Sequence, residues 1–218
     1  MPVDRPLLMK WGYRGASFLN SLRSIASNIS APANNDVTIE RVEPFDEGID
    51  RFCAAILSQH DYIVRRDVDF LNWRYCDPRA GDFIVNIAEE GDEVLGLLVL
   101  RVNKYREDYP VGLIVELLVL EGRDDVYHLL ISNALEYLEG MGVNIVVSEA
   151  VKNHPSERML TAHGFVDSRI PLQIFCNPFS MAEDFSKFKD MSPSRVYYSY
   201  GDIDSLPASI PRYASKSR

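Results

Sequence analysis

Two glutamates interrupt apolar runs of the sequence, and a carboxylate in such a place can act as an acid or a base. Glu116 lies inside the run GLIVELLVL. Strand alternation puts its side chain on one face with three apolar neighbours, Ile114, Leu118 and Leu120. An apolar surrounding raises the pKa of a carboxyl, which suits a general base. The alternative is that the strand bulges, so that Glu116 points into a solvated cleft or meets an arginine.

Glu149 is the second candidate base. It follows the apolar run IVVS at 145–148 and precedes a polar segment. A carboxylate at the end of a buried strand can face a cleft and accept a proton there. The alternative is that Glu149 only caps a helix or stays in solvent.

The remaining reactive side chains form no recognisable site. The histidines lack metal-ligand spacing, and no Ser-His-Asp arrangement can be identified among them: His60, His128, His154 and His163. Cys53, Cys76 and Cys176 are far apart and include no CxxC pair. The sequence therefore predicts no metal site, no disulfide framework and a reducing compartment.

Composition limits the class of protein. With 218 residues and 46% hydrophobic content, the chain can bury one sizeable core. A net charge of -9 argues against a nucleic-acid partner, because phosphate binding needs concentrated Lys and Arg. No apolar run approaches the roughly 18 residues that span a bilayer, and the N-terminus lacks a signal-peptide pattern. We therefore predict a cytoplasmic protein.

The elements that would position the two glutamates follow a regular order. The pattern predicts strand, helix, helix, hairpin, strand, helix, strand, helix and two final strands. The hairpin signal is the segment DFIVNIAEEGDEVLGLLVLRV, two apolar strands around Glu89-Glu90-Gly91-Asp92. This order predicts an α/β (mixed α+β) fold, whose central sheet is mixed and mostly antiparallel with helices on both faces.

Helix signals refine this order. Asp46, Asp67 and either Asp124 or Asp125 are the predicted N-caps of the first three helices. The third helix carries an apolar stripe and ends at Gly140 or Gly142; its stripe is Val126, Leu129, Leu130, Ala134, Leu135 and Leu138. A strand over 143–149 and a short helix over 154–162 follow. IPLQIFC and RVYYSY are predicted strands, with a helix over 178–189 between them.

The chain divides into three predicted parts. Residues 1–36 form a basic helical linker or appendage, 37–204 a domain, and 205–218 a polar tail. The basic residues of the first part are Arg5, Lys10, Arg14 and Arg23. A helix docked on a domain explains this part better than a helix on an anionic membrane, since four cations attract weakly after screening.

The order of the elements over 37–200 resembles the GNAT superfamily of acyl-CoA-dependent N-acyltransferases. Members often follow the fifth strand with Asn, a small residue, a Leu-Tyr pair and Gly-Phe. This chain has Asn153, Ser156, Met159, Leu160, Gly164 and Phe165 at those places. Gly164 would let the backbone turn back to the sheet. The basic linker and FLNWRY also resemble the second half of tandem GNAT-like proteins.

The resemblance implies a binding site for acetyl-CoA or another acyl-CoA. In this family the fourth strand pairs with the pantetheine arm, and the next helix start holds the pyrophosphate. The implied cofactor-binding residues are Leu118, Val119, Leu120, Gly122, Arg123 and Asn153. Asp124 and Asp125 at the helix start would repel a pyrophosphate by about 1 kcal/mol each at the surface.

The resemblance also implies transfer of the acyl group to the amine of a small molecule or an amino sugar. Glu116 or Glu149 would be the base, and the backbone N–H of Val119 or Leu120 would stabilise the oxyanion. Leu160 stands where many relatives have an acidic Tyr, so Tyr127, Tyr137 or water would supply that proton. The alternative function is a non-catalytic ligand- or partner-binding module. The oligomeric state is open, with a homodimer as one expectation.

Overall fold

The computed structural model describes residues 36–103, 109–168 and 190–203. Its centre is a five-stranded sheet in which the spatial order follows the chain order. The strands are β1 Val37–Arg41, β2 Ile84–Glu90, β3 Glu93–Asn103, β4 Val111–Val119 and β5 Ile145–Ser148. All neighbouring strands are antiparallel except β4 and β5, which are parallel. The predicted mixed, mostly antiparallel sheet is confirmed.

Helices cover both faces of the sheet. They are α1 Ile49–Gln59, α2 Val68–Leu71 with a π-helical continuation Asn72–Cys76, α3 Asp124–Gly140 and α4 Pro155–Ala162. Apolar residues of α1 and α2 pack on one face, and those of α3 and α4 pack on the other. Within the described ranges, no helix is both long and apolar enough to cross a membrane.

The β2–β3 hairpin forms because its turn is locally encoded. Glu90 pairs with Glu93, which leaves a two-residue turn. Gly91 has a φ of 63°, a left-handed conformation that glycine adopts at little cost. The hairpin predicted from the sequence is therefore confirmed, and its long strand β3 forms the middle of the sheet.

Helix α3 packs closely on β3 and β4. A Cβ atom at Gly96 would lie 2.8 Å from the Leu130 side chain, and one at Gly112 would lie 3.0 Å from Leu138. Four members of the predicted stripe are buried: Val126, Leu130, Ala134 and Leu138. Leu129 is 36% exposed, so its place in the buried stripe was wrong. The close approach at the two glycines orients the helix so that Leu129 lies outside the contact.

One predicted helix cap is confirmed and two are wrong. The Asp67 carboxylate accepts a hydrogen bond from Phe70 N at 2.8 Å and caps α2. Asp46 instead accepts from Gly48 N, and α1 begins after Gly48. Helix α3 begins after Arg123, so Asp124 and Asp125 lie in its first turn. There they face the positive end of the helix dipole without occupying the cap position.

The segment RVYYSY is not the predicted strand. It makes an isolated bridge between Tyr62 and Val196 and then enters a 3₁₀ turn, Tyr200–Asp202. Ser199 and Asp202 close that turn with reciprocal side-chain to backbone hydrogen bonds, which a ladder strand would not permit. The predicted strand IPLQIFC, the helix over 178–189 and residues 1–35 and 204–218 lie outside the described residues. The three-part division of the chain stays a prediction.

Candidate active site

Strands β4 and β5, the last two strands of the described sheet, part where β5 ends. They pair from Val111 with Ile145 to Ile114 with Ser148, where β5 ends. Strand β4 continues to Val119, and beyond Ile114 its edge on the β5 side pairs with no strand of the described residues. This parting leaves a cleft whose floor is the second half of β4.

A β-bulge in β4 determines which way Glu116 points. Opposite β3, Glu116 pairs with Val99 and Ile114 pairs with Leu100, so Val115 is an extra residue. Ile114 packs with the α3 side of the core, whereas Glu116 contacts Arg66 on the α1 side. The prediction that Glu116 shares a face with Ile114 was wrong because the bulge resets the alternation. The alternative, a bulge with Glu116 beside an arginine, is confirmed.

Backbone groups of β4 alternate between β3 and the cleft. Leu120 N donates to Leu95 O at 3.0 Å, so Leu120 and, two residues earlier, Leu118 face β3. Leu117 and Val119 therefore face the cleft. The Leu117 N–H donates to the Tyr197 hydroxyl at 3.1 Å, and that hydroxyl donates to Leu117 O at 3.3 Å. Val119 presents its backbone to the gap.

The cleft is small and mixed in polarity. Its space is about 220 Å³, a figure that includes open solvent at the mouth, so the enclosed part is far below a typical small-molecule pocket of roughly 300–1,000 Å³. The cleft can therefore receive at most the reacting end of a ligand. The lining residues are Ile114, Val115, Leu117, Ser148, Glu149, Ser156, Leu160, Tyr197 and Ser199.

Glu149 brings an unpartnered carboxylate oxygen to this cleft. Its Oε2 atom is buried, and no hydrogen-bond partner for it lies among the described residues. Burial, and secondly the nearby charge of Asp202, raise the pKa of Glu149 to about 7. At neutral pH the carboxyl is therefore close to its midpoint, which is where a general acid–base group works best.

Glu116 is placed in the opposite situation. Its carboxylate accepts hydrogen bonds from the Tyr75 hydroxyl at 2.6 Å and from the Ser199 hydroxyl at 3.0 Å. Arg66 Nη2 lies 3.1 and 3.3 Å from its two oxygens. The side chains of Arg66 and Glu116 are 1% and 0% exposed. Both oxygens are thus engaged, which leaves Glu116 less suited than Glu149 to take a proton.

Arg66 contacts two carboxylates, those of Glu116 and Asp202. Its Nη2 atom also lies 2.8 Å from Asp202 Oδ1, and that side chain is 1% exposed. Burial raises the pKa of Asp202 in spite of Arg66. We call Arg66, Tyr75, Glu116, Ser199 and Asp202 the Glu116 cluster. Because two of its members come from residues 190–203, the cluster fastens that segment to β4.

Hydrogen bonds through two histidines connect Ser156, at the cleft, with the interior of the protein. Ser156 donates from both its N–H and its hydroxyl to His154 Nδ1, at 3.2 and 2.7 Å. His154 Nε2 then lies 3.2 Å from His60 Nε2, and His60 Nδ1 lies 2.8 Å from Ile56 O. Only neutral rings satisfy every contact, with Nδ1–H on His60 and Nε2–H on His154. Burial lowers the pKa of His154 to about 4 and lowers that of His60.

Solved acetyltransferases have a similar fold. An aminoglycoside acetyltransferase from an uncultured soil metagenomic sample, solved with sisomicin, is 18% identical with a TM-score of 0.51, over 66% of this chain and 97% of its own. A putative acetyltransferase from Agrobacterium tumefaciens is 18% identical with a TM-score of 0.49, over 64% and 99%. An acetyltransferase of the GNAT family from Streptococcus pneumoniae is 14% identical with a TM-score of 0.47, over 60% and 84%. The chain has the GNAT fold. No protein-family model and no curated protein matches the sequence.

The segment that carried the GNAT resemblance has the expected backbone. Gly164 has a φ of 88° and ends α4, and Phe165 N donates back to Leu160 O at 3.1 Å. Asn153 has a φ of 68°, and its N–H donates to Glu157 Oε2 at 2.6 Å. Leu160 lines the cleft as the resemblance implied. The glycine turn predicted from the sequence is therefore confirmed.

The two tyrosines that were candidate proton donors do not lie at the cleft. Tyr127 is buried in the core between the sheet and α3, and Tyr137 packs at the edge of that core. Neither lines the cleft, whereas Tyr197 does. Sequence reasoning missed Tyr197 because it lies 80 residues from its partner Leu117. The only signal was the alternating aromatic pattern of RVYYSY, which resembles a strand.

The start of α3 carries the remaining cofactor candidates of the GNAT fold. Gly122 is exposed with a φ of 82°. The Arg123 guanidinium binds Asp125 at 2.8 Å and Glu90 at 3.1 Å. Arg158 binds Asp124 at 2.8 Å. The residues of this helix start fit a pyrophosphate poorly, because both guanidinium groups are already paired with carboxylates of the chain.

The described ranges contain no candidate metal-binding site. No group of three or more His, Cys, Asp or Glu side chains there is arranged to hold a metal ion. His128 Nδ1 and His163 Nε2 lie 2.8 Å apart, but they form a pair without a third such ligand.

Proposed function

We propose that the protein is an N-acyltransferase, which transfers an acyl group from a thioester such as acetyl-CoA or another acyl-CoA to the amine of a small molecule. The observation that carries this proposal is the cleft where β4 and β5 part, with Glu149 at its side, whose Oε2 atom has no hydrogen-bond partner among the described residues. A narrow thioester arm can lie along the unpaired edge of β4, as an added strand would. The GNAT fold supports the same reaction class.

Glu149 is the proposed base. An acceptor amine is protonated at neutral pH and must lose a proton before its nitrogen can attack. A carboxylate with a pKa of about 7 can take that proton and remain partly ionised between turnovers. As the C–N bond forms the C–S bond breaks, and the thiolate gains a proton from Glu149 or solvent. The reaction then balances without a further reactant.

The proposed oxyanion contact is the Val119 N–H. Leu120 N already donates to Leu95 O, and the Leu117 N–H is held by Tyr197. The alternation of β4 leaves Val119 facing the gap. Among the other candidates, the Leu118 side chain is buried in the core and would support β4 without touching the donor, and Leu120, Gly122, Arg123 and Asn153 would lie beyond the reacting end.

Glu116 is the proposed positioning residue. It fixes Tyr75 and Ser199, and the segment that carries Ser199 also supplies Tyr197 to the cleft. This role explains why a carboxylate is retained in an apolar strand without needing it to accept a proton from substrate.

An amino sugar or a related polyol amine is the proposed acceptor class. Ser148 provides a hydroxyl group at the cleft for such a molecule, whereas the Ser156 and Ser199 hydroxyls already donate to His154 and Glu116. One protein of the same fold was solved with the aminoglycoside sisomicin. We also propose that the protein acts in the cytoplasm, where unpaired cysteines such as Cys53 and Cys76 stay reduced.

The proposed function can be tested by two linked measurements. Purified full-length protein is incubated with acetyl-CoA and single amines, and the free thiol and the acetylated amine are measured by colour reaction and mass spectrometry. We expect thiol release that depends on an amine and equals the acetylated product. Thiol release that is the same without any amine would reject acyl transfer to amines.

The alternative function is a binding module without catalysis. The carboxylates at the start of α3 favour it, since they oppose a phosphate-bearing donor. A module of this kind would bind an amine ligand and raise the melting temperature with ligand concentration. It would release no thiol from any thioester.

A further inference from the structure

The start of α3 combines an open approach with an unfavourable charge. Gly122 is exposed, and nothing within 4 Å would meet a Cβ atom there. Four carboxylates surround this point against two guanidinium groups; they are Glu90, Glu121, Asp124 and Asp125 against Arg123 and Arg158. The surface is therefore negative at the place where the GNAT fold would receive a diphosphate.

The two guanidinium groups are held by carboxylates of the chain. Arg123 Nε and Nη2 donate to Asp125 at 2.9 and 2.8 Å, and its Nη1 donates to Glu90 at 3.1 Å. Arg158 Nη2 donates to both oxygens of Asp124 at 3.0 and 2.8 Å. A phosphate could reach the Arg123 guanidinium only by displacing a carboxylate, because Nε, Nη1 and Nη2 all donate to carboxylates. At Arg158, whose side chain is 67% exposed, a phosphate would compete with Asp124 in solvent. The exchange would replace one charge-assisted contact with another and yield little net affinity.

The positive end of the α3 dipole also faces a carboxylate of the chain itself. The pKa of Asp125 lies below its ordinary value, chiefly because Arg123 donates to its carboxylate. The Asp125 carboxylate lies in the first turn of the helix, where the dipole favours a negative charge. Glu121 N donates to Gln59 Oε1 at 3.2 Å, which engages another amide of this loop.

The arm-binding part of the site lacks these obstacles. Strand β4 presents the Val119 backbone to the gap, and the cleft beside it is lined by apolar side chains such as Leu117 and Leu160 together with serines and Glu149. An uncharged pantetheine arm can pair with this edge without meeting a carboxylate of the helix start.

We infer that the donor is recognised through its acyl-pantetheine arm and not through a diphosphate. This inference rests on the proposed acyl transfer. It follows from the geometry that a free acyl-CoA and a thioester carried on a phosphopantetheine group share the part that the protein binds. The remainder of the donor would stay in solvent near α3.

The inference can be tested by comparing two donors that differ only beyond the arm. Binding of acetyl-CoA and of S-acetylpantetheine to the full-length protein is measured by calorimetric titration at low salt. We expect dissociation constants that agree within about threefold. Acetyl-CoA that binds about tenfold tighter or more would overturn the inference and leave the proposed function standing. Failure of both to bind at millimolar concentration, together with failure to release thiol, would overturn the proposed function and the inference with it.

Variants assign the effect to the carboxylates. The double variant Asp124→Asn, Asp125→Asn should tighten acetyl-CoA about fivefold or more and leave S-acetylpantetheine unchanged, since only the former carries phosphates. The double variant Glu136→Gln, Glu139→Gln, at exposed positions near the other end of α3, removes the same number of carboxylates and is the matched control; it should change neither. Equal affinity of acetyl-CoA for the double variant and the unaltered protein would overturn the inference. S-acetylpantetheine binding reports whether the double variant remains folded.

Discussion

Glu116 and Glu149 lie on or beside neighbouring strands, and their surroundings are opposite. Glu116 receives three side-chain donors in a closed cluster, whereas Glu149 Oε2 is buried without a described partner. The charge of a buried carboxylate with donors is compensated, and removing that carboxylate leaves its partners uncompensated and destabilises the fold. A carboxylate without donors holds its proton more tightly and can exchange it near neutral pH. Hydrogen-bond partners, and not burial alone, therefore distinguish Glu116, whose carboxylate supports the fold, from Glu149, whose carboxylate is proposed to react.

The largest expected effect is the loss of the Glu116 carboxylate. Glu116→Ala should lower the free energy of unfolding by about 3–5 kcal/mol, because it leaves the buried Arg66 with only Asp202. Urea unfolding measures this change. Glu149→Ala is the matched control and should cost much less, since Glu149 Oε2 has no described hydrogen bond to lose. Equal losses in the two variants would contradict the distinction between the sites.

Activity should show the reverse order. Glu149→Gln should reduce turnover about a hundredfold, equivalent to about 2.7 kcal/mol, because the amide cannot accept the amine proton. Turnover of the unaltered protein should rise with pH through about 7, as Glu149 ionises, and the variant should lack that limb. Glu139→Gln, an exposed site at the end of α3, is the control for loss of one carboxylate. Near-normal turnover of Glu149→Gln would remove Glu149 as the base.

The Glu116 cluster also leaves no space for an added methyl group. A Cβ atom at Gly201 would overlap the Tyr75 hydroxyl and would lie 2.5 Å from Glu116 Oε2. Gly201→Ala should therefore lower the free energy of unfolding by about 1–3 kcal/mol. Gly140→Ala is the matched control, since nothing lies within 4 Å of the added atom. A neutral Gly201→Ala would mean that the segment around Tyr200–Asp202 is not packed on β4.

The sheet could be predicted from the sequence because its signals are local. The turn at Gly91-Asp92 and the flanking apolar alternation specify β2 and β3 within about 20 residues. The glycine turn that ends α4 is equally local, since it depends on Gly164 itself. The resemblance in element order then extended these pieces to the whole fold.

The partners of Glu116 could not be predicted in the same way. The run GLIVELLVL is apolar at almost every position, so the alternation does not reveal the extra residue Val115. Arg66 and Ser199 lie 50 and 83 residues from Glu116, and only the folded sheet brings them together. The aromatic alternation of RVYYSY suggested a strand, but its Ser199 serves the cluster and the 3₁₀ turn.

The smallest expected effect is the pH dependence of the stability that His154 contributes. His154 has a pKa of about 4 in the folded chain against 6.5 when exposed, so the unfolded chain takes up the proton first. The stability that the neutral ring contributes is complete above pH 6.5 and is lost as the pH falls toward 4. Glu149 acts in the opposite direction over an overlapping range, because its folded pKa is raised to about 7. A test must therefore compare proteins that both retain Glu149.

His154→Asn meets this condition, since Asn is also a good helix N-cap. The free energy of unfolding is measured by urea titration at pH 6.5 and pH 5.5 for both proteins. We expect the advantage of the unaltered protein over the variant to shrink by about 1 kcal/mol across this interval, as the two pKa values require. A difference that stays constant would mean that the ring facing His60 and Ser156 is not held neutral. Ser156 would then not be linked to His60 through a neutral ring. Glu149 would no longer differ from that ring as the group beside the cleft that exchanges a proton near neutral pH.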